Sequence, residues 1–172
     1  MNFVRRNLRT CSATLEERAY KALVRPIVEY SATVWNPYVA KNIQQVEMIQ
    51  RRAARWVLGC YDRLDSVNDM LSSLKWRSLE LRRSDVRLCM LYKESNGLAT
   101  YECDKLQRAH KSRMDTRLSS LSHRFEQPRC TCDYFKNSFY PRTIELWNNP
   151  PPEIIASTSP CSFKQSLCNL IY

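Results

Sequence analysis

Of the eight cysteines and two histidines in this chain, five crowd into one irregular stretch: Cys103, His110, His123, Cys130 and Cys132. Four of them would complete a tetrahedral zinc site. The close pair Cys130-x-Cys132 is tighter than the usual spacing of structural zinc ligands, and the other gaps are irregular. Free thiols in a polar segment are the other reading. Cysteine–histidine catalysis needs a third group to orient the pair, and no pattern supplies one.

The carboxylates point away from catalysis. Asp62, Asp65 and Asp69 fall where caps and solvated turns are expected. No two aspartates stand together after an aromatic strand, as a polymerase metal site would need. There is no dinucleotide fingerprint, Walker loop, HExxH or GxSxG. Two glycines in 172 residues leave no glycine-rich phosphate loop. No cofactor is expected.

Basic residues carry the strongest signal. The net charge of +10 favours an anionic partner, nucleic acid before membrane surface. Arginine outnumbers lysine, which suits planar, two-pronged contacts to phosphate. Arg51, Arg52 and Arg55 cluster in "IQRRAARWVLG", Lys21 and Arg25 precede them, and Arg82 and Arg83 follow. These seven are the candidate backbone-binding residues. An ordinary solvated surface is the alternative.

Helices must position them. Thr14 to Trp35 predicts a helix opened by a Thr14–Glu17 capping box, with Ala19, Leu23, Ile27, Tyr30 and Val34 as its buried stripe. Pro26 should kink it. Asn42 to Leu58 predicts a second helix, burying Ile43, Val46, Ile49, Ala53 and Trp56 and stopped by Gly59. Shorter helices follow over Ser66–Leu74 and Ser78–Lys93. A weak one could carry Leu106, Ala109, Met114, Leu118 and Leu121. Pro141 and Ser162 open the last two helices, the latter with Phe163, Leu167, Leu170 and Ile171. Trp35, Trp56, Trp76 and Trp147 occupy core-like positions. The expected fold class is all-α: a kinked helical hairpin plus further helices, with a small irregular C-terminal portion. Three stretches are expected: a helical domain over 1–97, a polar loop or linker over 98–133 and a C-terminal helical segment over 134–172. No apolar run reaches the roughly 18 residues of a membrane span, and the N-terminus lacks a secretory pattern. An intracellular, reducing location is expected, with thiols free.

Four ordered pieces add a resemblance: "AYKALVRPIVEYSATVWNPY", "IQQVEMIQRRAARWVLGCY", "SVNDMLSSLKWRSLELRRSDVRLCMLYK" and "SFYPRTIELWN". Together they resemble the C-terminal part of LINE-type, non-LTR retrotransposon reverse transcriptases of the jockey-like kind. The resemblance covers nearly the whole chain and implies the thumb and post-thumb region. Family members copy RNA into DNA with Mg²⁺ held by palm aspartates, and thumb helices contact the template–primer duplex. The resemblance therefore implies an RNA–DNA or DNA duplex and the parent palm domain as partners. The palm and its aspartates are absent from this sequence, so a fragment without polymerase activity of its own is expected. Pro150 stands where the family motif usually has leucine. The rival readings are a protein-interaction module, using the apolar face a palm would otherwise cover, and a small zinc-stabilised module.

Overall fold

The computed structural model describes residues 1–8, 10–62, 64–99, 106–107 and 123–169. The fold is all-α, with no strand among the described residues. In chain order the elements are α1 (Asn2–Asn7), α2 (Ala13–Ala19), a π-helical turn (Tyr20–Val24), α3 (Arg25–Glu29), α4 (Ala32–Trp35), α5 (Ala40–Leu58), α6 (Val67–Ser73) and α7 (Leu79–Ser95). The remainder are α8 (Asp133–Lys136), α9 (Phe139–Trp147), α10 (Pro152–Ile155) and α11 (Pro160–Asn169).

Two compact units result, Met1–Arg83 and Ser84–Tyr172. Their boundary falls inside α7, whereas composition suggested breaks near 97 and 133. Side-chain chemistry explains the position. Arg82 and Arg83 at the start of α7 bond to Glu29 and Asn36. Leu88, Leu91 and Tyr92 further along it join a core with α9 and α11.

The first unit is built around Pro26. A proline in a helix lacks an N–H and crowds the carbonyl four residues back. Here the preceding residues widen into a π turn, closed by the Arg25 N–H bonding to the Tyr20 carbonyl, and the chain continues through α3. A single widened turn of this kind is a known way to absorb such a misfit. The helix then ends at Glu29. Ser31 takes left-handed backbone angles (φ 52°), and the Trp35 indole donates to the freed Tyr30 carbonyl. The single helix expected over 14–35 is therefore widened at Tyr20–Val24 and broken at 30–31, with α4 beyond the break.

The π turn also rotates the helix face. Glu16, Tyr20 and Val24, spaced by four, are the buried residues. Of the expected stripe only Ala19 packs against the core; Leu23, Ile27, Tyr30 and Val34 turn outward, 57%, 74%, 77% and 85% exposed. Trp35 is exposed too, while Trp56, Trp76 and Trp147 are buried. Tyr20 stacks on Trp76 with ring centroids 4.6 Å apart, and burial pushes its hydroxyl pKa up. That hydroxyl donates to Gln50 Oε1 at 3.3 Å, and Gln50 Nε2 donates to the Arg77 carbonyl at 3.0 Å. Val4, Ala53, Ala54, Val57 and Met70 complete this core.

Caps differ from expectation at several ends. Helix α2 starts after Ser12, not at Thr14, and no side chain caps it. Ser66 caps α6 by accepting from the Asp69 N–H at 3.4 Å. Gly59 closes α5 at φ 66°, a conformation that a side chain disfavours. For α11 the accepting hydroxyl belongs to Ser159, which receives the Ser162 N–H at 3.1 Å.

The second unit buries Leu88, Leu91, Tyr92, Phe125, Ile144, Trp147, Phe163 and Leu167 together. The residues of "SFYPRTIELWN" tie it to neighbouring chain. Thr143 Oγ1 accepts from Arg87 Nε at 3.1 Å. The Trp147 indole donates to the His123 carbonyl at 2.8 Å. The Asn148 side chain pairs with both backbone groups of Phe125, at 3.1 and 3.0 Å. The weak helix predicted near Leu106–Leu121 lies, apart from Leu106, outside the described residues, as do Cys103, His110, Leu170 and Ile171.

Candidate nucleic-acid interface

Helix α5 positions the arginine cluster. Its buried side is Gln50, Ala53, Ala54, Trp56 and Val57, packed against α2 and α6. At about 100° per residue the opposite face carries Lys41, Met48, Arg51, Arg52 and Arg55. Lys41, Arg51 and Arg52 are exposed and Arg55 is half-buried. From Lys41 to Arg55 the face runs about 21 Å along the axis. Arg51 and Arg52 have no carboxylate partner among the described residues. The one acidic residue of α5, Glu47, sits at the margin and accepts the Glu80 N–H at 2.7 Å.

The other candidates are committed elsewhere. Lys21 pairs with Glu17 at 2.5 Å and lies over the Trp76 ring at 6.0 Å. Glu17 also receives the Trp76 indole N–H at 3.0 Å. The hydrogen bonds from Lys21 and then Trp76 hold the Glu17 carboxyl below the usual carboxylate range. Arg25 approaches Glu29 at 3.9 Å. Arg82 grips the same Glu29 with two nitrogens, Nε on Oε1 and Nη2 on Oε2 at 3.0 Å. Arg83 is fully buried, donates from Nε to Asn36 Oδ1 at 3.0 Å and lies 5.9 Å from the Trp35 ring centroid.

Two corrections follow for the basic set. Arg83 is an interior side chain, because its position on α7 faces the 35–37 segment. Lys21 pairs with Glu17, and Arg25 and Arg82 share the single carboxylate of Glu29, so their charge is partly offset, whereas Arg51 and Arg52 have no carboxylate partner among the described residues. Lys41 was missed. It shares the face of Arg52 and Arg55, but a helix begun at Asn42 leaves it outside the count. The helix begins at Ala40.

The cysteines are free thiols where described. Among the described residues no group of three or more His, Cys, Asp or Glu side chains could hold a metal. His123 and Cys132 are exposed and Cys130 is half-buried. No described helix is long and apolar enough to cross a membrane. Comparison with protein families, curated protein sequences and solved structures finds no match for this chain.

Proposed function

We propose that the exposed face of α5 binds the sugar–phosphate backbone of a nucleic-acid duplex. The chain then serves as the thumb and C-terminal segment of a LINE-type retrotransposon reverse transcriptase. One observation carries this reading: Arg51 and Arg52 project from α5 beside Lys41 and Arg55 with no carboxylate partner among the described residues. Guanidinium groups in such a row match phosphate oxygens by charge and by planar geometry. The four-part sequence resemblance supports an RNA–DNA template–primer as the duplex. In that setting Mg²⁺ and catalytic aspartates belong to the palm of the parent enzyme, and this chain alone synthesises no DNA. Binding of a fluorescent RNA–DNA duplex across a salt series tests it. Affinity should fall steeply with salt, by about one logarithmic unit of slope per phosphate contact. Salt-independent binding would contradict it.

A second reading is favoured by the outward turn of Leu23, Ile27, Tyr30 and Val34. Four large apolar side chains exposed within twelve residues are a candidate interaction surface. The partner would be protein, the parent palm by resemblance. Apolar association would be far less sensitive to salt than phosphate binding.

A further inference from the structure

The first unit holds a cavity that the α5 face does not use. Its volume is about 640 Å³, and Asn2, Arg5, Arg6, Glu16, Trp56 and Tyr61 line it. That size suits a small-molecule site. The lining combines three chemistries. Arg5 and Arg6 supply positive charge from α1. Arg5 is held by Tyr61, donating to its hydroxyl at 3.2 Å and lying 5.5 Å from its ring centroid. Trp56 and Tyr61 supply flat apolar surface. Glu16, a residue only 8% exposed, supplies a carboxylate.

Glu16 is the informative residue. Burial raises its pKa, and a hydrogen bond from the Trp56 side chain and the charge of Arg5 only partly offset this. A buried carboxylate with spare acceptor capacity suits a ligand bringing two parallel N–H donors. The arginines want an anion, and the rings want a planar group. One ligand class meets all three demands. Adenine lacks the paired donors, and free phosphate uses neither the rings nor Glu16.

We propose that this cavity binds a guanine nucleotide, its N1–H and 2-amino group donating to Glu16, its phosphate on Arg5 and Arg6 and its base against Tyr61. The nucleotide can be free or an unpaired position of a strand. The strand source rests on the nucleic-acid reading above, and the free source does not.

Calorimetry on the full chain with GMP, AMP and inorganic phosphate tests it. GMP should bind, and AMP about tenfold more weakly or worse. Glu16→Gln should erase that difference. Arg5→Ala with Arg6→Ala should weaken GMP and phosphate alike. Tyr61→Ala, at an exposed position, should weaken GMP with an unchanged circular dichroism spectrum, which covers the case of a Glu16 variant that does not fold. Arg51→Gln with Arg52→Gln and Arg55→Gln should leave GMP binding intact, so the two sites fail separately. A thymine strand with one guanine, compared with all thymine, separates the sources: a Glu16-dependent preference marks the strand, and GMP binding without it marks the free nucleotide. Absent GMP binding at millimolar concentration, or equal binding of GMP, AMP and phosphate, overturns the proposal.

Discussion

Arg82 closes a two-pronged contact on Glu29, with Nη2 3.0 Å from Oε2 and Nε on Oε1. The same carboxylate also faces Arg25 at 3.9 Å. One acidic residue thus faces two arginines, offsetting one of their two charges, and joins α3 to the start of α7. Glu29→Gln should lower stability by about 1 kcal/mol, since the pair is partly screened but has fork geometry. It should also strengthen duplex binding, because the charge offsetting the two arginines is removed. Urea unfolding and binding on the same variant measure both; a variant as stable as the parent contradicts the first expectation.

Glu17 gives a pH signature. Its folded carboxyl is held below the unfolded value by Lys21 and Trp76. Stability from this group is therefore present above the unfolded pKa and is lost as pH falls through the folded one. Glu17→Gln should flatten part of the acid limb of a stability–pH curve, below the unfolded carboxylate pKa. An unchanged limb would show that the contact adds no stability.

Ile27 and Val34 test the rotated face. In a core each would cost about 1–4 kcal/mol on truncation to alanine. On the exposed face described here the change should stay within roughly 0.5 kcal/mol each. Ile27→Ser with Val34→Ser should fold as well as the parent. If that double variant unfolds, the helix faces are reversed.

Arg87 anchors the second unit. It is buried and donates to Thr143 Oγ1, the Ser138 carbonyl at 3.2 Å and the Phe139 carbonyl at 2.8 Å, beneath the Phe139 ring. Burial, followed by the charge of Arg142, lowers its pKa to about 10. Arg87→Ala removes its bonds to the Ser138 carbonyl and Thr143 Oγ1 and one of two side-chain donors to the Phe139 carbonyl, which also accepts from the Thr143 hydroxyl, and should cost about 3 kcal/mol. Thermal unfolding reads this directly, and a shift of a degree or less would contradict it.

Much of this was legible in the residues themselves. The α5 face follows from 3.6-residue periodicity, and Gly59 and the Ser66 cap follow from local chemistry. Three features were not. The π turn is a tertiary solution to Pro26, and it moved the buried positions from Leu23 and Ile27 to Tyr20 and Val24. The pairing of Arg82 with Glu29 joins residues 53 apart in sequence, beyond any local pattern. The division inside α7 depends on which core each turn of one continuous helix meets. Periodicity finds arginines on a face; it does not reveal which carboxylates fold against them.

The contrast that matters most is between Arg51 and Arg52 on α5, which have no carboxylate partner among the described residues, and Lys21, Arg25 and Arg82, each of which faces one. Two triple variants compare it most directly, each removing three positive charges: Arg51, Arg52 and Arg55 to Gln, against Lys21, Arg25 and Arg82 to Gln. Both are measured for RNA–DNA duplex affinity across a salt series, with circular dichroism alongside. The α5 variant should stay helical and lose about one unit of salt slope for each phosphate contact removed. The other should keep the parental slope. Equal losses from both, or an unchanged slope in a folded α5 variant, would contradict the account.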